Sequence, residues 1–246
     1  MRYLALLGLF VLSGFSGLSV FADDAMMAGT VEHAIAQKIK QAVPQIPIVS
    51  VNASDFAGMY DVTLANGEHL FATADGSVFI AGDMYRVNHD GLVNLTENTR
   101  SNNRADKLAS MSDNEKIIFS PENKKVSVTV FTDSDCGYCR KLHADMPGYL
   151  AKGIEIKYVA FPRAGIGSST YDKMVSAWCA DDRKTAMNQI KAGRAIPSKV
   201  CDNPVAAQYR LGKVIGIRGT PAIVLESGEL LSGYYPPEKL AEVLKL

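Results

Sequence analysis

The stretch Val126-Ser-Val-Thr-Val-Phe-Thr-Asp-Ser-Asp-Cys136-Gly-Tyr-Cys139 limits what this chain can fold into more than any other. Its apolar, β-branched first half reads as a buried strand from Val126 to Phe131. If that strand ends near Thr132 to Asp133, Cys136 falls at the N-terminus of the helix that follows. Unpaired backbone amides and the positive end of the helix dipole stabilise a thiolate there and lower its pKa. Cys139, three residues on, lies one turn deeper, where it can attack a mixed disulfide on Cys136 and release the substrate. Cys136-Gly137-Tyr138-Cys139 is therefore read as a redox centre, with Gly137 and Tyr138 in the bridge tuning its poise.

Two other readings of the pair are weaker. A closed structural zinc site takes four ligands. The remaining cysteines, Cys179 and Cys201, form no second C-x-x-C, and His33, His69, His89 and His143 show no ligand spacing. No metal and no cofactor is expected. A purely structural Cys136–Cys139 bridge would close too small a loop to stabilise much.

Cys179 follows Trp178 on an amphipathic helical stretch, and Cys201 precedes the turn Asp202-Asn203-Pro204. A bridge between them would tie an inserted helix to its neighbour; a second redox pair is the alternative, though it lacks the helix-terminal motif. Gly219-Thr220-Pro221 stands just before the apolar strand Ala222 to Leu225. A cis proline there would present the Thr220 backbone to an extended substrate beside Cys136, whereas an ordinary strand-entry proline is the other possibility.

All four cysteines lie in the second half, and an even count suits disulfide chemistry in an exported protein. The start of the chain agrees. One charge, Arg2, precedes a long apolar run ending in Val20-Phe21-Ala22, a signal peptide over residues 1–22 cut before Asp23. The 26 Lys and Arg balance 26 Asp and Glu, so neither nucleic acid nor an anionic membrane is expected as the main partner.

Roughly 220 residues then remain, room for one large domain or two ordinary ones. Val31, Ile35, Ile39 and Val43 mark one helical face, ended by Pro44 and Pro47. From Met59 to Val87 apolar and polar residues alternate, broken at Asn66-Gly67 and Asp75-Gly76, which predicts a small antiparallel meander beside that helix. This α+β unit, residues 23–93, has no cysteine and a modest core, so association with a partner chain is expected. We place a homodimer contact at the edge around Met84-Tyr85-Arg86-Val87, with docking onto the chain's own second half as the alternative. Residues 94–114 are polar and low in aromatics and read as a solvated, partly helical linker.

The second half, residues 115–246, alternates as an α/β unit. The strand at Val126, a helical stretch from Cys139 to Leu150 and a strand from Ile154 to Phe161 form a parallel βαβ unit. Tyr171, Met174, Val175 and Trp178 share a helical face; after Pro221 come a strand, a Ser227-Gly228 turn, a short strand near Leu230-Leu231 and a final helix after Pro236-Pro237. That order is thioredoxin-like, with inserted helices.

Six segments in order resemble the periplasmic disulfide isomerases of the DsbC family. They are Phe131-Thr132-Asp133 leading into the C-x-x-C, Lys141-Leu142-His143, Ala160-Phe161-Pro162-Arg163, Trp178-Cys179-Ala180, Gly219-Thr220-Pro221-Ala222 and Gly233-Tyr234-Tyr235-Pro236-Pro237. The resemblance implies a V-shaped homodimer: cystatin-like N-terminal dimerisation domains, a helical linker and thioredoxin-like domains facing a shared cleft. It implies that Cys136 attacks wrong disulfides in misfolded secreted proteins and that Cys139 resolves trapped intermediates. It also implies a structural Cys179–Cys201 disulfide, substrate contacts at Thr220, Pro221 and Tyr138, a membrane thiol reductant of the DsbD type, and chaperone binding in the cleft. The sister DsbG type, a net oxidase and a redox-independent holdase are the rival readings. Two residues depart from the family pattern: Asp135, where Thr is expected, should oppose the thiolate, and Arg140, where His is expected, should favour it.

Overall fold

The computed structural model describes residues 29–54, 56 and 58–246; the expected signal peptide and the first residues after it lie outside this range. Helix α1 (Val31–Ala42) starts where the Thr30 hydroxyl accepts the His33 amide at 3.2 Å. Its Ile35, Ala36 and Ile39 pack on Val51, Val62, Leu64, Leu70 and Ala72. Those residues belong to an antiparallel sheet of β1 (Ile48–Ala53), β2 (Met59–Leu64), β3 (His69–Thr73) and β4 (Phe79–Ala81), in that spatial order. The hairpin turns hold Gly67 and Gly76 at φ +79° and +63°, a region glycine enters without steric cost.

The meander stops earlier than the alternation predicts. Met84 to Val87 is not a fifth strand of this sheet: among the described residues β5 (Tyr85–Asn88) pairs only with β6 (Gly91–Asn94), as a separate ribbon. The chain is drawn away because Arg100 grips Asp83 at 2.7 Å and the Thr96 hydroxyl accepts the Met84 amide at 2.8 Å.

Both of those grips come from α2 (Leu95–Ala109), one continuous fifteen-residue helix in the segment expected to be only partly helical. The Asn94 side chain caps it through the Glu97 amide at 2.9 Å. It is docked rather than solvated. Arg104 is buried, pairs with Glu97 and donates to the Gly228 carbonyl at 2.6 Å, while Leu108 sits in a core of the second unit.

That second unit has a five-stranded sheet in the order β11-β10-β8-β9-β7, comprising β7 (Ile117–Phe119), β8 (Val126–Thr132), β9 (Ile154–Ala160), β10 (Ala222–Leu225) and β11 (Leu230–Ser232). β8 and β9 are parallel and every other pair is antiparallel. Side-chain alternation splits the sheet into two buried faces. Val128, Val130, Ile156, Tyr158, Ile223 and Leu225 point to the larger core; Phe131, Val159, Ala222 and Val224 point to a smaller one shared with Leu108 and Ile217.

The crossover between β8 and β9 is α3 (Gly137–Ala144) and α4 (Met146–Ala151), not the single helix expected. Pro147 is the reason, since its ring would strike the carbonyl four residues back in a continuous helix. Helices α5 (Ser169–Trp178), α6 (Arg183–Lys191) and α7 (Val205–Val214) are inserted between β9 and β10, and α8 (Pro237–Val243) closes the chain. Among the described residues no helix is long and apolar enough to cross a membrane.

Candidate active site

The end of β8 delivers Cys136 to the first turn of α3, as its N-cap, with φ −83° and ψ 120°. Its sulfur accepts the Cys139 amide at 3.4 Å and lies 3.2 Å from the Thr220 carbonyl oxygen, to which it donates only while protonated. The Thr220–Pro221 peptide bond is cis. Both cysteines are free thiols and buried, at 3% and 1% exposure, whereas Tyr138 between them projects with 65% exposed.

The two sulfurs are driven apart in acidity. A hydrogen bond from the Cys139 thiol, reinforced by Thr220, the Cys139 amide and the Arg163 guanidinium, brings Cys136 down to about 5. Burial, and then its role as donor to Cys136, pushes Cys139 well above the usual thiol range. One sulfur is thus an anion at neutral pH and its neighbour keeps its proton. The Thr220 hydroxyl is buried, has no hydrogen-bond partner among the described residues and borders both sulfurs.

Asp133 organises the turn into α3. Its carboxylate accepts the Asp135 amide at 2.7 Å on one oxygen, and on the other the Arg163 amide at 2.9 Å and Nε at 3.0 Å. The segments Phe131-Thr-Asp133 and Phe161-Pro-Arg163 are therefore one bonded unit, with the two Phe rings edge to face at 6.2 Å. Periodicity had flagged neither Asp133 nor Arg163 as site residues; only their place in the two segments was visible.

Asp135, expected to oppose the thiolate, is not among the main influences on the Cys136 thiol. Its carboxylate is turned to Thr170 at 2.7 Å, Lys173 at 2.9 Å and Arg140 at 3.4 Å. Burial raises its pKa, but these partners outweigh that and hold it below the usual carboxylate range. Asp135 and Arg140, the two departures, thus pair with each other.

Away from the pair, Cys179 and Cys201 form a disulfide with Cα atoms 5.7 Å apart, tying the end of α5 to the loop before α7. Beside Thr220 and Pro221 opens a groove of about 1240 Å³, walled by Arg100 and Arg104 of α2, His69 of β3 and Ile217. Among the described residues no three His, Cys, Asp or Glu side chains gather in a way that could hold a metal ion. A nucleophilic thiolate, a protonated thiol one turn away and a carbonyl edge facing them can carry out disulfide exchange.

Residues 113–246 match the family of thioredoxin-like domains, and residues 22–97 match the N-terminal domain of disulfide bond isomerase proteins. The thiol:disulfide interchange protein DsbC of Escherichia coli is 37% identical over 236 residues, 95% of this chain and 92% of that protein. The chain belongs to the DsbC family. DsbC of Salmonella typhimurium is 38% identical over 227 residues, 92% of this chain and 93% of that protein. The crystal structure of a disulfide interchange protein from Neisseria gonorrhoeae, 31% identical, superposes with a TM-score of 0.50 over 55% of this chain and 96% of that one. Membership in the DsbC family makes the protein a thiol:disulfide oxidoreductase of the isomerase type.

Proposed function

We propose that the chain reshuffles incorrect disulfides in secreted proteins of the periplasm. In this reading Cys136 is the nucleophile: it attacks a client disulfide, one client sulfur leaves, and another client thiol displaces Cys136 to give a new pairing. Cys139 is held back as a thiol and releases clients that stall. The observation that carries the reading is the opposed acidity of two sulfurs one helical turn apart, with Cys136 down at about 5.

Thr220 and Pro221 supply the edge along which an extended client segment lies, Tyr138 contacts it from the exposed bridge, and the Cys179–Cys201 disulfide is structural. Residues 23–93 form the dimerisation domain and 94–114 the linker to the catalytic domain at 115–246. Homodimer formation is supported by apolar side chains left open there: Phe79 and Ile80 on edge strand β4, and Tyr85, Val87 and Leu92 on the β5–β6 ribbon. A membrane thiol reductant of the DsbD type keeps the pair reduced, and the dimer cleft also holds unfolded chains as a chaperone.

The test is reactivation of a scrambled multi-disulfide enzyme in a glutathione buffer. The wild type should restore activity and Cys136→Ala should not. A wild type that only oxidises reduced substrate, or equal protection from aggregation by both forms without reactivation, would replace the isomerase reading with an oxidase or a holdase.

A further inference from the structure

Three basic side chains stand half exposed around the turn that carries Cys136: Arg140 of α3, Arg163 just beyond β9 and Lys173 of α5. Each is tied to an acid of that turn. Arg163 holds Asp133 at 3.0 Å, while Arg140 and Lys173 reach Asp135 at 3.4 Å and 2.9 Å.

The two sides of these pairs are not equally open. The Asp133 side chain is 3% exposed, with one oxygen on the Asp135 amide and the other on Arg163. Both Asp135 oxygens are taken as well, one by Lys173 and Arg140 and the other by Thr170 and Lys173. The carboxylates therefore offer a client little. The cations offer more. Arg140 places Nε on the Ser134 carbonyl and Nη2 on Asp135, and its Nη1 is uncommitted among the described residues; Arg163 bonds through Nε, with both Nη groups uncommitted. Free N–H groups on a planar fork suit a carboxylate.

Other charges add to the same sign. Arg194, exposed in the loop after α6, makes no ion pair among the described residues; it adjoins Gly193, where a Cβ would lie 4.0 Å from Arg140 Nη1. Behind the cysteines, buried Lys191 donates to the Thr132 hydroxyl at 2.6 Å and the Asp133 backbone carbonyl at 2.9 Å. With Asp172 of α5 counted, Arg140, Arg163, Lys173, Lys191 and Arg194 still outnumber Asp133, Asp135, Asp172 and the Cys136 thiolate.

We propose that this rim selects client disulfides flanked by acidic residues, with Arg140, Arg163 and Lys173 as the specificity-determining side chains. This rests on the exchange reading of the cysteine pair. A carboxylate beside the client disulfide lies on the free guanidinium N–H groups as Cys136 attacks the sulfur, and a lysine in its place is repelled. Asp135 sets the strength of the selection, because it neutralises part of the charge on Arg140 and Lys173.

Two blocked pentapeptides, Glu-Gly-Cys-Gly-Glu and Lys-Gly-Cys-Gly-Lys, each with its cysteine joined to 2-thiopyridine, read the selection directly. The Cys136 thiolate attacks the peptide sulfur, the bond to the pyridine sulfur breaks, and coloured thiopyridone leaves with the electron pair and takes a proton from water. Both peptides meet the same thiolate, so the ratio of their rate constants does not depend on the Cys136 pKa. At about 0.01 M ionic strength, where charges act over about 30 Å, the wild type should prefer the Glu peptide at least about fivefold; at about 1 M, with screening within about 3 Å, the preference should fall towards one. Arg140→Gln combined with Lys173→Gln should cut the low-salt preference at least about twofold, and Asp135→Asn should raise it about twofold. A loosened fold would move both variants in one direction. A wild type without preference for the Glu peptide at low salt, a double variant that keeps the wild-type ratio, or an Asp135→Asn ratio no greater than wild type overturns the proposal. Should the double variant fail to fold, the wild-type ratio with its salt dependence and Asp135→Asn decide. Failure of the isomerase reading would appear separately, as wild-type protein that exchanges with the peptides but does not reactivate scrambled substrate.

Discussion

Cys136, the proposed nucleophile, owes its lowered pKa to three separate stretches of chain: the first turn of α3, the Thr220 loop and Arg163. With its thiol brought down to about 5, its alkylation by iodoacetamide should stay on a plateau through neutral pH and fall with an inflection near that value. Arg163→Ala should move the inflection upward by less than about one pH unit, since its charge is the smallest of the contributing causes. The same shift links to stability. A thiol whose folded value lies below its unfolded 9.0 stabilises the reduced chain fully above that unfolded value, and the contribution is lost as pH falls through about 5. Cys139 stays protonated in both states below its unfolded value, so it adds no slope in this window. Urea unfolding of reduced wild type should therefore lose stability between neutral pH and about 5 relative to Cys136→Ala. A parallel pH dependence in the two would refute the lowered value. The cysteine pair proposed as the site was readable from its spacing and from the strand before it. Asp133, Arg163 and Lys191 were not, because an acid after a strand or a base on a helix has the sequence signature of an ordinary solvated residue.

At the scale of elements, strand alternation and glycine turns act over a few residues, and those features were largely legible: α1, the β2–β3–β4 hairpins, the βαβ unit and the closing helix. Two errors had local causes that pattern counting passes over, Pro147 splitting the crossover helix and α2 drawing Tyr85 off the sheet. β7 escaped because, unlike the equally short β4 and β11, it follows no Gly turn that marks a hairpin and pairs with β9, distant in the chain. α7 illustrates how packing overrides propensity. A Cβ on Gly212 would lie 2.6 Å from one Phe161 ring carbon, and that ring is hemmed in by Phe131 and Tyr209. Gly212→Ala would gain about 1 kcal/mol of helix propensity. Overpacking against a ring that cannot retreat costs about 1–3 kcal/mol, which offsets that gain and leaves a net loss of up to about 2 kcal/mol. A lowered urea midpoint at unchanged slope is expected; a midpoint equal to or above wild type would show that the ring yields.

For the whole molecule, the N-terminal unit leaves Val87 81% and Leu92 68% exposed on a two-stranded ribbon, a structure with little stability alone. If a second copy covers this surface, Val87→Asp with Leu92→Asp should weaken self-association at least about tenfold in sedimentation experiments. The Cys136 alkylation profile, set within the thioredoxin-like unit, should not change. An unaltered dimer would move the interface elsewhere, with the β4 edge at Phe79 and Ile80 the next surface to alter. The chain alone specified its two-part order, the C-x-x-C at a helix start and the proline before β10, because strand period, Gly and Pro punctuation and cysteine spacing are short-range properties. It could not specify which groups surround the sulfurs. Asp133, Arg163, Lys191 and Thr220 lie up to 87 residues apart in the chain. Only the stacking of β8 between β9 and β10, with α6 inserted behind, brings their charges and hydrogen bonds to one buried point, and burial there is what makes the two thiols unequal.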